Sequence, residues 1–185
     1  MSIDEEIGEL FALPPDRFTS ARDELARRMA KDGEKETAAA VKGLRKPTLV
    51  AWALNQLPRR FANDLNALVE AGEALRTAQR KAASGVRDSG FQEAAERRRK
   101  VVGDLTAKGL RVLSEAGKPS QAAEAEIGRT LEAASVDVEA AQQLLEGRLS
   151  KAISTVPGFD SVGGFEVIVG GEGAGLAEGA ERTAT

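Results

Sequence analysis

With 185 residues, no cysteine and no histidine, the chain is long enough for one ordinary domain. It has no disulfide framework and no thiolate or imidazole ligand, and it lacks the side chain best suited to moving protons near neutrality. Six Phe, one Trp and no Tyr, set among many Ala, Leu, Glu and Arg, form the composition of a helical bundle. The net charge of -3 hides an asymmetry: residues 1–36 hold 6 Lys/Arg against 10 Asp/Glu, residues 37–111 hold 15 against 7, and residues 112–185 hold 5 against 12. Either the basic middle faces a polyanion, or the acidic ends fold back and neutralise it.

The chain opens with Ser2 and Glu5 in capping-box spacing, and Ile3, Ile7, Leu10 and Phe11 then share one helical face up to Pro14-Pro15. The opening is acidic, and no apolar run approaches the length of a membrane span, so a cytoplasmic location with no membrane partner is expected. A second helix is expected from near Asp16 to the Asp32-Gly33 cap, burying Phe18, Ala21, Leu25 and Met29, with Arg22, Asp23, Arg27 and Arg28 outward. The run from Lys35 is helical until Pro47, which marks a break around Gly43 to Lys46 and suits the first turn of a new helix. That helix is expected over Thr48 to Leu57, ending at Pro58.

Beyond Pro58, Phe61, Leu65, Leu68, Gly72, Leu75 and Ala82 step by fours and threes, with Gln79 as the one polar member. The same stepping resumes after residues 83–90 at Phe91, Ala95, Arg98, Val102, Leu105, Gly109, Val112 and Ala116. Ser89 and Gln92 give a second capping-box signal. Two helices of similar length joined by a short loop predict an antiparallel hairpin over about 60–116, with Gly72 and Gly109 allowing close backbone approach. Arg98 falls on the seam and calls for an acidic partner such as Glu70 or Glu73, or for a different register. The run Arg97-Arg98-Arg99-Lys100 points around most of a helix, so solvated charge is a better reading of it than a flat basic face.

Two shorter helices follow, one from Ser120 through Ile127 and Leu131, the other from an Asp137 cap to Gly147. The sequence therefore predicts an all-α, single-domain helical bundle over 1–151. It is followed by an irregular segment at 152–170 with one possible strand, Phe165 to Val169, and a Gly-rich disordered tail at 171–185.

For chemistry the sequence offers little. There is no phosphate-binding loop of the G-x-x-x-x-G-K-[ST] type, and paired carboxylates such as Glu5/Glu6 or Glu124/Glu126 are ordinary on helical surfaces. No catalytic residue, metal site or cofactor is expected, and the chain reads as a non-enzymatic binding protein. The strongest functional signal is Thr37 to Asn63, which carries Lys42, Arg45, Lys46, Arg59 and Arg60 and no acidic residue. Within it Ala39, Gly43, Leu44, Leu49 and Trp52 have helix–turn–helix spacing, and over about twenty residues the segment resembles bacterial DNA-binding helix–turn–helix motifs.

In that geometry Arg45 and Lys46 contact phosphate, Thr48, Val50 and Ala51 face the major groove, and Leu49 and Trp52 pack on the first helix. Lys42, Arg45, Lys46, Thr48, Arg59 and Arg60 are accordingly the candidate nucleic-acid-binding residues, aided by basic positions on the long helices, with DNA as partner. The alternative is a scaffold role without nucleic acid, in which the heptad seam serves self-association or docks a protein partner. The run Leu44 to Thr48 and Ala51 to Leu57, together with Ala12-Leu13-Pro14-Pro15, also resembles a family of small helical proteins from high-GC Gram-positive bacteria over roughly residues 8–150. This resemblance implies a helical fold and brings no activity, ligand or site residue.

Overall fold

The structure is a computed structural model that describes residues 2–87, 89–117 and 119–153, all within one compact unit spanning residues 1–155. The expected strand at Phe165 to Val169 and the expected disordered tail lie outside the described residues. Among the described residues there are eight helices: α1 (Ile3–Ala12), α2 (Pro15–Lys31), α3 (Lys35–Gly43), α4 (Leu49–Arg60), α5 (Ala62–Ala83), α6 (Phe91–Ala116), α7 (Gln121–Val136) and α8 (Val138–Glu146). The all-α bundle is as the sequence predicts, and no helix among these residues is long and apolar enough to cross a membrane.

Most helix boundaries follow local chemistry. Ser2 and Glu5 form a reciprocal capping box, Ser120 accepts from Ala123 N–H, Asp137 accepts from Ala140 N–H, and Gly147 closes α8 at φ 64°. Three boundaries depart from the sequence reading. Thr48 rather than Pro47 starts α4, because its hydroxyl caps Ala51 N–H at 3.1 Å, and this leaves Pro47 buried in an extended linker. Pro58 does not end α4, which runs on to Arg60 and is closed by Phe61 N–H on Leu57 O at 2.7 Å. The Ser89–Gln92 box does not form: Gly90, left-handed at φ 67°, is the N-cap of α6 and displaces Ser89 from the capping position.

The long pair α5 and α6 packs as the expected antiparallel hairpin. Leu65, Leu68, Gly72 and Leu75 are buried on one helix, and Val102, Leu105, Gly109 and Val112 on the other. The seam ends short of the tip, where Ala82 and Phe91 are exposed, and short of the far end of α6, where Ala116 is exposed. The two seam glycines receive α7 rather than each other's helix. A Cβ at Gly72 would lie 1.8 Å from Ser135 O, and one at Gly109 would lie 3.1 Å from Ile127 Cγ2.

Arg98 also turns to α7, its Nε donating to Ser135 Oγ at 2.6 Å, while Arg76 donates to Val136 O at 2.9 Å. Two cations thus meet the negative end of the α7 dipole, where the sequence suggested an acidic residue on α5. It is Arg97 that approaches Glu70, at 3.8 Å.

At the centre lies α4, with every residue from Val50 to Leu57 buried. It packs on α1, α5, α6, α7 and α8. Its one fully buried amide, Asn55, donates to Leu149 O at 2.9 Å and accepts from Leu149 N–H at 2.8 Å, and so clasps the segment after α8 to the core. The N-terminal helices form their own small cores. Leu10, Phe11 and Phe18 meet between α1 and α2, with an edge-to-face ring pair at 5.2 Å, and Leu25, Ala26 and Met29 meet Ala38 and Val41 between α2 and α3. Trp52 Nε1 and Gln56 Nε2 both donate to Ala12 O, at 3.2 and 3.1 Å, and so anchor α1 to α4.

Candidate nucleic-acid interface

The helix–turn–helix geometry expected from the Ala39–Trp52 spacing is not what the chain adopts. The main neighbour of α3 is α2, and α4 packs on five other helices. Val50 and Ala51, expected to face a groove, are 8% and 0% exposed, whereas Leu49, expected to pack, is 38% exposed and Ala39 lies at the surface. The physical reason is composition. Val50 to Leu57 has no charged residue, so burying the helix on all sides releases more apolar surface from water than presenting one face would.

The basic candidate residues around that helix divide into two kinds. Lys42, Arg45 and Lys46 are exposed, and among the described residues no hydrogen bond or ion pair within 4 Å holds their side chains. They flank the extended linker between α3 and α4. In that linker Leu44 is half-buried and Pro47, three positions on, is buried, while Arg45 and Lys46 between them are exposed. Thr48, the fourth candidate, is occupied as the α4 N-cap, so its hydroxyl has a structural partner.

Arg59 and Arg60 are tied down within the molecule. Arg59 donates to Gly8 O at 2.6 Å with Glu9 at 4.0 Å, and Arg60 holds Glu115 through contacts of 2.7 and 2.8 Å. For these two the acidic ends do fold back on the basic middle. The structure therefore keeps Lys42, Arg45 and Lys46 together and separates them from Arg59 and Arg60, which face other contacts.

Arg22, expected to point outward, instead holds the linker in place. Its side chain is 19% exposed and donates to Leu44 O at 3.0 Å and to Asp23 Oδ1 at 2.8 and 3.0 Å. Asp23 is held below its usual carboxylate range first by that hydrogen bond. The charges of Arg22, Lys42 and Arg27 add to the effect, and burial opposes it.

One cation escaped the sequence reading. Thr48 N–H donates to Ser150 O at 2.9 Å, which brings exposed Lys151 alongside the linker from about a hundred residues away. No local pattern signals that approach, because it depends on the Asn55 clasp.

A cleft of about 650 Å³ opens beside the same helix, lined by Pro14, Pro15 and Asp16 of the α1–α2 junction, Leu49, Trp52, Gln56 and Arg60 of α4, and Glu115 of α6. Most of its polar groups already have partners: the Trp52 and Gln56 donors share Ala12 O, and Arg60 holds Glu115. Comparison with models of protein families, with characterised proteins and with solved structures returns no match to this chain.

Proposed function

We propose that this is a non-enzymatic nucleic-acid-binding protein that contacts DNA, with weak sequence preference, through the linker between α3 and α4. The observation that carries this reading is the arrangement at Lys42, Arg45 and Lys46. These are three exposed cations without a partner among the described residues, on an extended segment whose apolar side chains turn inward, in a chain that is acidic overall. The positive end of α4 begins directly behind them and adds to the same field. Binding by neutralising phosphates needs no inserted recognition helix, so a buried α4 is compatible with it, and sequence discrimination is correspondingly weak.

The test is an anisotropy titration of a labelled duplex at low and moderate salt. Replacing Lys42, Arg45 and Lys46 together by Ala should weaken binding and flatten the log–log salt slope by up to about 0.9 per lost phosphate contact. Replacing Arg59 and Arg60 should change it little. No binding by the native chain at low salt, or a triple variant that binds unchanged, would refute the proposal.

A scaffold role has one specific support, the exposed apolar residues Val136, Val138 and Leu145 on α7 and α8. The seam residues first suggested for that role are consumed against α4 and α7. A solution mass above that of one chain, lowered by Val138→Ser with Leu145→Ser, would favour it.

A further inference from the structure

The hairpin tip is another place where cations outnumber acids. From Arg76 to Gln92 the sequence holds Arg76, Arg80, Lys81 and Arg87 and a single acid, Asp88. Arg76 is spent on Val136 O, whereas Arg80, Lys81 and Arg87 are exposed and form no ion pair among the described residues. The same apex presents Val86 at 48% and Phe91 at 37% exposure, two of the few large apolar side chains left in water. The tip stands clear because α7 ends at Val136, against Gly72 and Arg76, and the last buried residue of α5 is Ala78. The hairpin therefore overhangs the bundle, and Glu93 and Glu96 bound the basic zone one turn into α6.

We propose that this tip is a second nucleic-acid contact, specific for single strands, with Phe91 stacking an unpaired base and Arg80, Lys81 and Arg87 neutralising flanking phosphates. An exposed aromatic that shares an apex with three exposed cations has that complementarity: bases offer their faces only when unpaired, and the backbone supplies regularly spaced negative charge. The inference rests on the nucleic-acid reading above and adds a strand preference and a second position to it.

The two positions are far apart. A Cβ at Gly117 would lie 3.4 Å from Leu49 Cδ2, so the linker sits at the C-terminal end of α6 while the tip is at its start. The 26 residues of α6 span about 39 Å. One molecule can thus hold a single-stranded segment at the tip while duplex contacts the linker.

The experiment compares full-length protein with Phe91→Ala, with Arg80→Ala/Lys81→Ala/Arg87→Ala, and with Lys42→Ala/Arg45→Ala/Lys46→Ala. Each is titrated into a labelled single-stranded oligonucleotide and a labelled duplex, with circular dichroism to confirm folding. All these side chains are exposed, so the variants should fold. Phe91→Ala should weaken single-strand binding by roughly 5- to 100-fold, the effect of losing one stacked base, and leave duplex binding within about twofold. The triple tip variant should weaken single-strand binding and flatten its log–log salt slope by up to about 0.7 per lost phosphate contact.

Single-strand binding unchanged by both tip variants overturns the inference, and duplex binding lost with the linker variant then leaves the linker reading standing. Conversely, tip-dependent single-strand binding together with duplex binding unchanged by the linker variant supports the inference and removes the linker from the function. No binding of either probe by the native chain overturns both.

Discussion

Replacing Gly72 by Ala should be among the most damaging single-methyl changes available in this protein. The added Cβ would meet Ser135 O at 1.8 Å and Ser135 C at 2.8 Å. These are backbone atoms of the last turn of α7, which cannot rotate away as a side chain would. Reaching an ordinary contact of about 3.4 Å needs a retreat of about 1.6 Å, in an interior packed as densely as an organic crystal. That movement pulls Ser135 Oγ from Arg98 and Val136 O from Arg76.

Overpacking of this kind costs about 1–3 kcal/mol, and weakening two charge-assisted hydrogen bonds adds to it. Alanine's better helix propensity returns about 1 kcal/mol. The net expectation is a loss of about 2–4 kcal/mol, read as a lowered urea midpoint with unchanged slope, followed by circular dichroism or Trp52 fluorescence. Gly103→Ala is the matched control: it too is helical, but a Cβ there meets nothing within 4 Å, so it should be neutral or stabilise by up to about 1 kcal/mol. A Gly72→Ala protein as stable as the native one, or a Gly103→Ala protein destabilised to the same extent, would refute the reasoning.

Asn55→Ala should cost about 2–4 kcal/mol in the same assay, because it leaves both the N–H and the C=O of buried Leu149 without a partner. Unchanged stability would show that water replaces the amide. Asp23 should titrate below 3.8 by NMR and move back towards that value in Arg22→Ala. Because its folded-state pKa is depressed, its contribution to stability is present above the unfolded value near 3.9 and is lost as pH falls through the folded value. A midpoint at or above 3.8 in the native chain would contradict the Arg22 contact.

The fold was legible because its signals are local and repeated. Ser2, Ser120 and Asp137 announce helix starts by side chains that cap the residue three positions on, and the Leu65–Leu75 and Val102–Val112 steps recur at the spacing that buries one face. What misled is equally specific. The Ala39–Trp52 spacing fits a helix–turn–helix, but spacing carries no information on what covers the second helix, and α4 is enclosed by elements up to 94 residues away in sequence. Gly72 and Gly109 correctly signalled a close approach without naming the helix that makes it. Of the candidate site, the exposure of Lys42, Arg45 and Lys46 goes with the acid-free run that contains them, but that run could not separate them from Arg59 and Arg60, whose partners come from α1 and α6.

The Asn55–Leu149 clasp has a consequence for how the chain reaches this state. The central helix carries a buried amide whose partners, among the described residues, lie 94 positions later, so the core cannot close when α4 is made. During synthesis at about 5–20 residues per second, α4 and its apolar sides wait several seconds for Leu149 to arrive, exposed or shielded by provisional contacts. The final strap of the fold is thus a timing element: completion of the native core is gated by the arrival of the segment after α8.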